Sequence, residues 1–105
     1  MKSTSSEERV ITAPVELDLD SRLYFRGEAL RCVAGMRRGA GRLVVDLTAT
    51  RSVDSSGLGV LIMIQRRAAQ RRLRVALRGV NDELRFLLTL TKLEDLFQVE
   101  KAEIG

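Results

Sequence analysis

The spacing of apolar and polar residues divides the chain into alternating strands and helices. Within residues 21–39 every third or fourth residue is apolar, as in a helix that packs on one side. We predict that this helix begins at Asp20 or Ser21, which are good N-cap residues, and ends at Gly39. Its apolar stripe consists of Phe25, Ala29, Cys32 and Met36.

A second helical pattern is strong from Leu58 onward. Val60 and Met63 lie on the side opposite its core face, where an apolar side chain either marks a contact surface or is covered by a neighbouring element. Both interpretations remain open at this point. The core face consists of Leu58, Leu61, Ile62, Gln65, Ala68 and Ala69.

Three further segments have strand patterns. Residues 43–47 form a short apolar run typical of a strand covered on both faces. Residues 73–78 alternate with period two. Residues 10–17 are broken by Pro14 and predict a short edge strand or strand end, and a last strand is expected to begin at Val99.

A third helix is predicted after the strand at residues 73–78. Asn81 is its expected N-cap, with Asp82 and Glu83 in the first turn. The resulting order β-α-β-α-β-α, with short connections, predicts an α/β fold with a mostly parallel sheet and right-handed crossovers. We expect a single domain over residues 9–105, preceded by a flexible polar segment at residues 1–8.

Composition adds several exclusions. The 105 residues include no histidine, which removes Ser-His-Asp and Cys-His nucleophiles, histidine-based acid catalysis and most zinc sites. The single cysteine, Cys32, cannot form an internal disulfide and is expected to be a buried, unreactive thiol. The chain has no Walker loop, no complete dinucleotide fingerprint and no nucleophile elbow. We therefore predict a protein that is not an enzyme and that holds no cofactor or metal.

The net charge of +4 is unevenly distributed. Residues 55–81 hold six arginines and no acidic residue, whereas residues 82–105 hold three basic and six acidic residues. The arginines could bind a phosphate backbone, face an acidic protein or be solvated. No aromatic residue lies among them to stack on bases, so we favour a solvated surface and no nucleic-acid partner.

Neither membrane insertion nor export is expected. The longest uncharged stretch, residues 55–65, has eleven residues, against the roughly 20 apolar residues that a membrane-spanning helix needs. The N-terminal residues have no apolar core of the kind that a signal peptide requires. The sequence thus predicts a cytoplasmic protein.

One segment has a more specific pattern than its secondary structure requires. Residues 44–68 read VVDLTATRSVDSSGLGVLIMIQRRA, a strand ending in Asp-Leu, a loop, and a D-S-S-G-L-G string that opens a helix. The segment resembles the STAS domain of bacterial anti-sigma factor antagonists. The resemblance continues through LRVALRGV and NDELRFLLTLTKLEDLF, residues 73–80 and 81–97. In the N-terminal third the chain reads P-V-E-L-D where the family usually has G-E-L-D, and Asp18 takes the position of the family aspartate.

The resemblance implies a small, mostly parallel (mixed) sheet with helices mainly on one face, and a phosphorylation switch. In the family, the second serine of the string is phosphorylated by a partner anti-sigma factor that is also a kinase; here it is Ser56. The unphosphorylated antagonist binds that partner and frees a sigma factor, and it needs no cofactor. The partner-binding residues that we predict are Asp18, Asp54, Ser55, Gly57, Leu58, Gly59, Val60 and Met63.

Local chemistry suggests roles for several of these residues. Gly57 would let a partner backbone approach, and Gly59 would keep the same side open. Asp54 would orient the Ser56 hydroxyl. A helix N-terminus tolerates a phosphate, so we expect phosphorylation to leave the fold intact. The simpler interpretation is that Ser55 and Ser56 are only N-caps.

Other functions fit the same resemblance. Some STAS domains look like accessory subunits of lipid-transport ATPases or scaffold units of stress-sensing complexes, without the switch. Alanine is common at the second serine position in the transporter role, so the serine retained at Ser56 argues mildly against it. A nucleic-acid-binding role through residues 66–78 is the least favoured.

Overall fold

Strands and helices alternate along the chain as predicted, and the computed structural model describes residues 7–39 and 41–101. The first strand begins at Glu7, two residues before the predicted domain boundary, and the remaining residues of the predicted flexible N-terminus lie outside the described ones. The elements are β1 (Glu7–Thr12), β2 (Glu16–Leu17), α1 (Arg22–Ala34), β3 (Gly41–Asp46), β4 (Ser52–Val53), α2 (Ser55–Gln70), β5 (Arg74–Arg78), α3 (Asp82–Leu90), a 3-10 helix (Glu94–Leu96) and β6 (Gln98–Val99).

Every strand pair in the described residues is parallel. The main sheet has four strands in the order β1-β3-β5-β6, and β2 pairs with β4 in a separate two-stranded sheet. The mostly parallel sheet predicted from the order of elements is therefore confirmed. The β2–β4 pair is not predicted by the sequence, because two residues are too few to show a strand period.

The helices pack on one face of the main sheet, as expected. Since α1 and α2 lie side by side, they enclose a single core with the central strands β3 and β5. α3 adds Leu84 and Leu88 to this core. Its fully buried members include Phe25, Ala29, Val33, Leu43, Val45, Leu61, Ile64 and Leu77.

Both ends of α1 differ in detail from the prediction. Ser21 is the N-cap residue by position, but the Oδ1 atom of Asp18 accepts the hydrogen bonds from the backbone N–H groups of Asp20 and Ser21. The helix ends at Ala34 and is capped by Gly35, whose N–H donates to the carbonyls of Arg31 and Cys32. The predicted end at Gly39 is therefore about one turn too late.

Cys32 is half-buried in α1, and not fully buried as the sequence suggested. Desolvation raises the pKa of its thiol. Since the thiolate is the reactive form, the expectation of an unreactive thiol agrees with this environment.

The C-terminal ends of α1 and α2 are joined by reciprocal hydrogen bonds. The Nη2 atom of Arg71 donates to the carbonyl of Met36 at 2.7 Å. In return, the backbone N–H of Gly39 donates to the carbonyl of Arg71 at 2.8 Å. These bonds fix the ends of the two helices together at the edge of the sheet where β3 and β5 begin.

The opposite face of the main sheet carries a network of ion pairs. Val44 and Ala76 are neighbours on adjacent strands of this face, and both are 0% exposed, although neither belongs to the core under the helices. Arg42 reaches Glu100 at 3.0 Å and Arg78 reaches Glu8 at 3.8 Å. Side chains alternate between the two faces of a strand, so Arg42 and Arg78 share this face with Val44 and Ala76. We infer that the arginine stems cover these two residues.

Glu100 is the acidic centre of this network. It accepts from Arg78 Nε at 2.8 Å and from Arg42 Nη2 at 3.0 Å. The hydrogen bond from Arg78, with the positive charges of Arg78 and Arg42, holds the pKa of Glu100 below its ordinary value of 4.5. A group whose pKa is lowered by folding stabilises the fold above its unfolded-state pKa and loses this effect as the pH falls through the folded-state pKa.

We therefore predict that Glu100→Gln lowers the free energy of unfolding by about 0.5–1 kcal/mol at pH 7, the range for partly exposed ion pairs. Below about pH 4.5 the free energies of unfolding of the wild type and of Glu100→Gln should converge, because Glu100 itself becomes protonated there. Urea unfolding at a series of pH values measures this. Glu16→Gln is the matched control, because Glu16 is exposed and makes no ion pair with any described residue. Equal losses of unfolding free energy in Glu100→Gln and Glu16→Gln would contradict the stabilising role of the Glu100 ion pairs.

Candidate functional site

The DSSG segment forms the N-terminus of α2, and Asp54 is its cap. The Asp54 Oδ1 atom accepts from the backbone N–H of Gly57 at 2.9 Å, and its carbonyl accepts from the N–H of Leu58. Ser55 and Ser56 therefore lie in the first turn of the helix, and the interpretation that they cap it is wrong. The Asp54 side chain accepts from the Gly57 N–H and makes no hydrogen bond with the Ser56 hydroxyl in the described residues, which corrects the orienting role predicted for Asp54.

The β2–β4 pair holds this helix N-terminus against the start of α1. The carbonyl of Leu17, the last residue of β2, accepts from the backbone N–H of Asp54 at 3.2 Å. A Cβ atom at Gly57 would lie 2.2 Å from the same carbonyl oxygen and 2.8 Å from the Leu17 Cγ atom. Gly57 is buried in this contact, so the sequence-based idea that it admits a partner backbone is corrected: the close approach is internal.

A groove lies between the first turns of α1 and α2, with a volume of about 360 Å³. Ser56 lines it and is half-buried, and the exposed Gly59 lies one turn further along α2. A Cβ atom at Gly59 would meet nothing within 4 Å, so this side of the helix is open, as predicted. The groove is lined by Arg22, Leu23, Arg26, Ser55, Ser56, Gly59, Val60 and Met63.

Four other predicted partner-binding residues take different positions around the groove. Val60 is only 6% exposed and belongs to the core, so the exposed contact predicted there is corrected: the alternative, a covering neighbour, holds. Met63 and Leu58 are half-buried and pack against the core from its edge. Asp18 follows Leu17 directly and holds the turn before α1, beside the groove and not within its lining.

The sequence did not predict the contribution of α1 to this site. Arg22, Leu23 and Arg26 form one wall of the groove. Leu23 is 62% exposed and its neighbour Tyr24 is 77% exposed. The sequence shows that these residues lie outside the apolar stripe of α1, which indicates an exposed position. Only the tertiary packing shows that they line the same groove as Ser56.

Two observations describe the charge of the groove. Neither Arg22 nor Arg26 forms an ion pair within the part of the chain that the structure describes. The Nε atom of Arg22 is shielded from solvent and has no hydrogen-bond partner there. The groove therefore combines two unneutralised guanidinium groups with a serine and an exposed leucine.

Fold and site together define a small α/β module, with a parallel sheet covered on one face and a serine in the first turn of its central helix. The chain belongs to the family whose model is described as "Mlab, STAS domain", which matches residues 1–99. The resemblance to STAS domains stated from the DSSGLG segment is thus confirmed. No curated protein matches the sequence significantly.

Several solved structures have a similar fold. A candidate anti-sigma factor antagonist from Thermotoga maritima is 21% identical, with 89% of this chain and 80% of that chain covered and a TM-score of 0.74. A sulfate transporter family protein from Wolinella succinogenes is 15% identical over 88% and 75% of the two chains, with a TM-score of 0.66. The anti-sigma factor antagonist SpoIIAA in its unphosphorylated form is 15% identical over 98% and 86%, with a TM-score of 0.65. At these identities the likeness shows the fold alone.

Two kinds of feature are absent from residues 7–39 and 41–101. No helix there is long and apolar enough to cross a membrane. No group of three or more histidine, cysteine, aspartate or glutamate residues is arranged to hold a metal ion.

The two glycines of α2 provide a matched pair of variants. We predict that Gly57→Ala destabilises the fold by about 2 kcal/mol or more, because its methyl group would overlap the Leu17 carbonyl. Gly59→Ala should be neutral or stabilise by about 0.5–1 kcal/mol, since alanine is the better helix former and has space here. Thermal and urea unfolding of both variants test this, and similar stabilities would contradict the packing described at Gly57.

Variants of Asp54 separate its capping role from its charge. Asp54→Ala removes the acceptor for the Gly57 N–H and should cost about 1 kcal/mol. Asp54→Asn keeps a side-chain oxygen at the cap and should cost much less, because asparagine caps helices about as well as aspartate. Urea unfolding measures both. An equal loss in the two variants would show that the charge, and not the cap, is what stabilises this end of α2.

Proposed function

We propose that the chain is a regulatory protein-binding module, an anti-sigma factor antagonist whose binding to an anti-sigma factor with serine kinase activity is switched by phosphorylation of Ser56. The module itself is not an enzyme and works in the cytoplasm. The observation that carries the proposal is the position of Ser56. It lies in the first turn of α2, at an accessible groove, and Asp54 supplies the helix cap in its place.

A free hydroxyl at this point suits a phosphoryl acceptor. In the described residues the Ser56 hydroxyl makes no hydrogen bond that phosphorylation would have to break. The Oγ atom would attack the γ-phosphorus of ATP bound to the kinase, and the bond to the β,γ-bridging oxygen would break. ADP leaves with those electrons, and the hydroxyl proton passes to a base of the kinase.

The added phosphate would change the surface more than the fold. It brings about −1.5 to −2 charges at pH 7, and the unpaired N–H groups of a helix N-terminus stabilise an anion. The contacts that position α2 lie at Leu17 and Gly57, and neither residue lines the groove. The partner would therefore meet an unchanged backbone with a different charge.

We predict that phosphorylation of Ser56, or Ser56→Asp, weakens partner binding at least about tenfold, equal to about 1.4 kcal/mol. Gln70→Glu is the matched control: it adds a negative charge to the same helix at an exposed residue that does not line the groove. Incubation with the partner kinase and ATP, followed by mass spectrometry, should place the phosphate on Ser56. Modification at another residue, or unchanged partner binding by Ser56→Asp, would contradict the switch.

The second candidate function is a non-switching accessory subunit of a lipid-transport ATPase. It is favoured by the similar fold of a sulfate transporter family protein, which shows that a transport-related protein also contains this fold. Affinity purification with the wild type and Ser56→Ala separates the two. A transport ATPase subunit recovered equally by both proteins would support the accessory role. A kinase recovered by the wild type and lost on phosphorylation would support the switch.

A further inference from the structure

We propose that Arg22 and Arg26 of α1 bind the phosphate of phosphorylated Ser56 and thereby fill the groove between α1 and α2. The proposal rests on the proposed function, because its ligand is a phosphoserine at position 56. It goes further by naming residues on a different helix that receive the phosphate.

The first support is the arrangement of the groove. Arg22 and Arg26 are four residues apart on α1 and therefore lie on the same side of the helix. Both line the groove that Ser56 lines from α2. A guanidinium group presents several N–H donors in a planar fork that matches phosphate oxygens. Two such groups on the wall opposite Ser56 are suited to the three acceptor oxygens of a phosphoserine.

The second support is that, in the described residues of the unphosphorylated chain, the guanidinium groups of Arg22 and Arg26 form no ion pair. Within the described residues, Arg42 and Arg78 are paired with carboxylates, whereas no ion pair involves Arg22 or Arg26. The Nε atom of Arg22 is shielded from solvent and has no hydrogen-bond partner among residues 7–39 and 41–101. A shielded donor without a partner costs free energy, so Arg22 would gain a hydrogen bond by turning its guanidinium group towards an anion in the groove.

The other ionic groups near the groove do not supply this acceptor. Asp54 is adjacent to Ser56 in sequence, and its Oδ1 atom is held by the Gly57 N–H. Asp18 lies before α1, and its Oδ1 atom accepts from Asp20 and Ser21. The groove is thus locally positive, and a phosphate would neutralise it.

This arrangement gives the switch a physical form. Without phosphate, a partner meets a positive groove bordered by the exposed Leu23 and the half-buried Met63. With phosphate, the two arginines are occupied and the groove is filled by a group tied to both helices. A partner carboxylate or backbone carbonyl that used Arg22 or Arg26 would then lose its donor.

The test uses the full chain with phosphoserine incorporated at position 56 during translation, so that no kinase is needed. A ³¹P NMR titration compares this protein with the Arg22→Gln/Arg26→Gln double variant and with Arg31→Gln. Arg31 is the matched control because it lies on α1, is exposed and does not line the groove. We expect the pKa of the phosphate to lie below that of phosphoserine in a short peptide, to rise towards it in the double variant and to stay low in Arg31→Gln.

Thermal unfolding gives a second measurement. Phosphorylation should raise the Tm of the wild-type chain by about 4 °C and that of the double variant by less than half as much. If Arg22→Gln does not fold, the exposed Arg26→Gln replaces the double variant, with Arg26→Lys to keep the charge and remove the fork. The proposal would be overturned if the phosphate had the same pKa in the wild type and the double variant. It would also be overturned if Arg31→Gln raised this pKa as much as the double variant does.

Failure of this proposal and failure of the proposed function would be seen in different measurements. If the kinase does not act on Ser56, the switch fails, but the titration still reports whether the arginines bind a phosphate. If the titration shows no effect of the arginines, partner binding and its loss on phosphorylation can still be measured.

Discussion

The contact between the backbone of Leu17 and the N-terminus of α2 determines how the two main helices are placed. Leu17 is fully buried, its carbonyl accepts from Asp54, and only a residue without a side chain fits against it at Gly57. Because α1 begins a few residues after Leu17, the same contact brings the first turns of α1 and α2 side by side. The groove that joins Ser56 to Arg22 is a direct result.

The same contact explains which parts of the site could be predicted from the sequence. The helix at the DSSG segment and the apolar strand at residues 43–47 have local signals: cap residues and an uninterrupted apolar run. The β2–β4 pair has no such signal, since it joins two-residue strands that are 36 positions apart. For that reason the sequence alone does not show that Gly57 packs against Leu17, and it leaves both interpretations of Val60 open.

The two faces of the main sheet also differ in how far the sequence reveals them. The helix-covered face follows from apolar spacing, which marks residues such as Phe25 and Leu61. The burial of Val44 and Ala76 on the other face depends on long arginine side chains that reach across strands to Glu8 and Glu100. These charged residues are far apart in sequence and do not recur at a helical or strand spacing. The spacing of apolar residues therefore cannot predict that the arginine side chains cover this face of the sheet.

The hydrogen bonds between Arg71 and the end of α1 have a consequence for how this module can transmit information. With Leu17 at one end and Arg71 at the other, α1 and α2 are held together at both ends of their contact. The groove cannot widen without breaking one of these ties, so a modification inside it has little mechanical effect to pass on. What changes is the electric field outside the molecule, which salt screens within about 8 Å at physiological ionic strength. A module of this construction would report its state only to a protein already in contact with it.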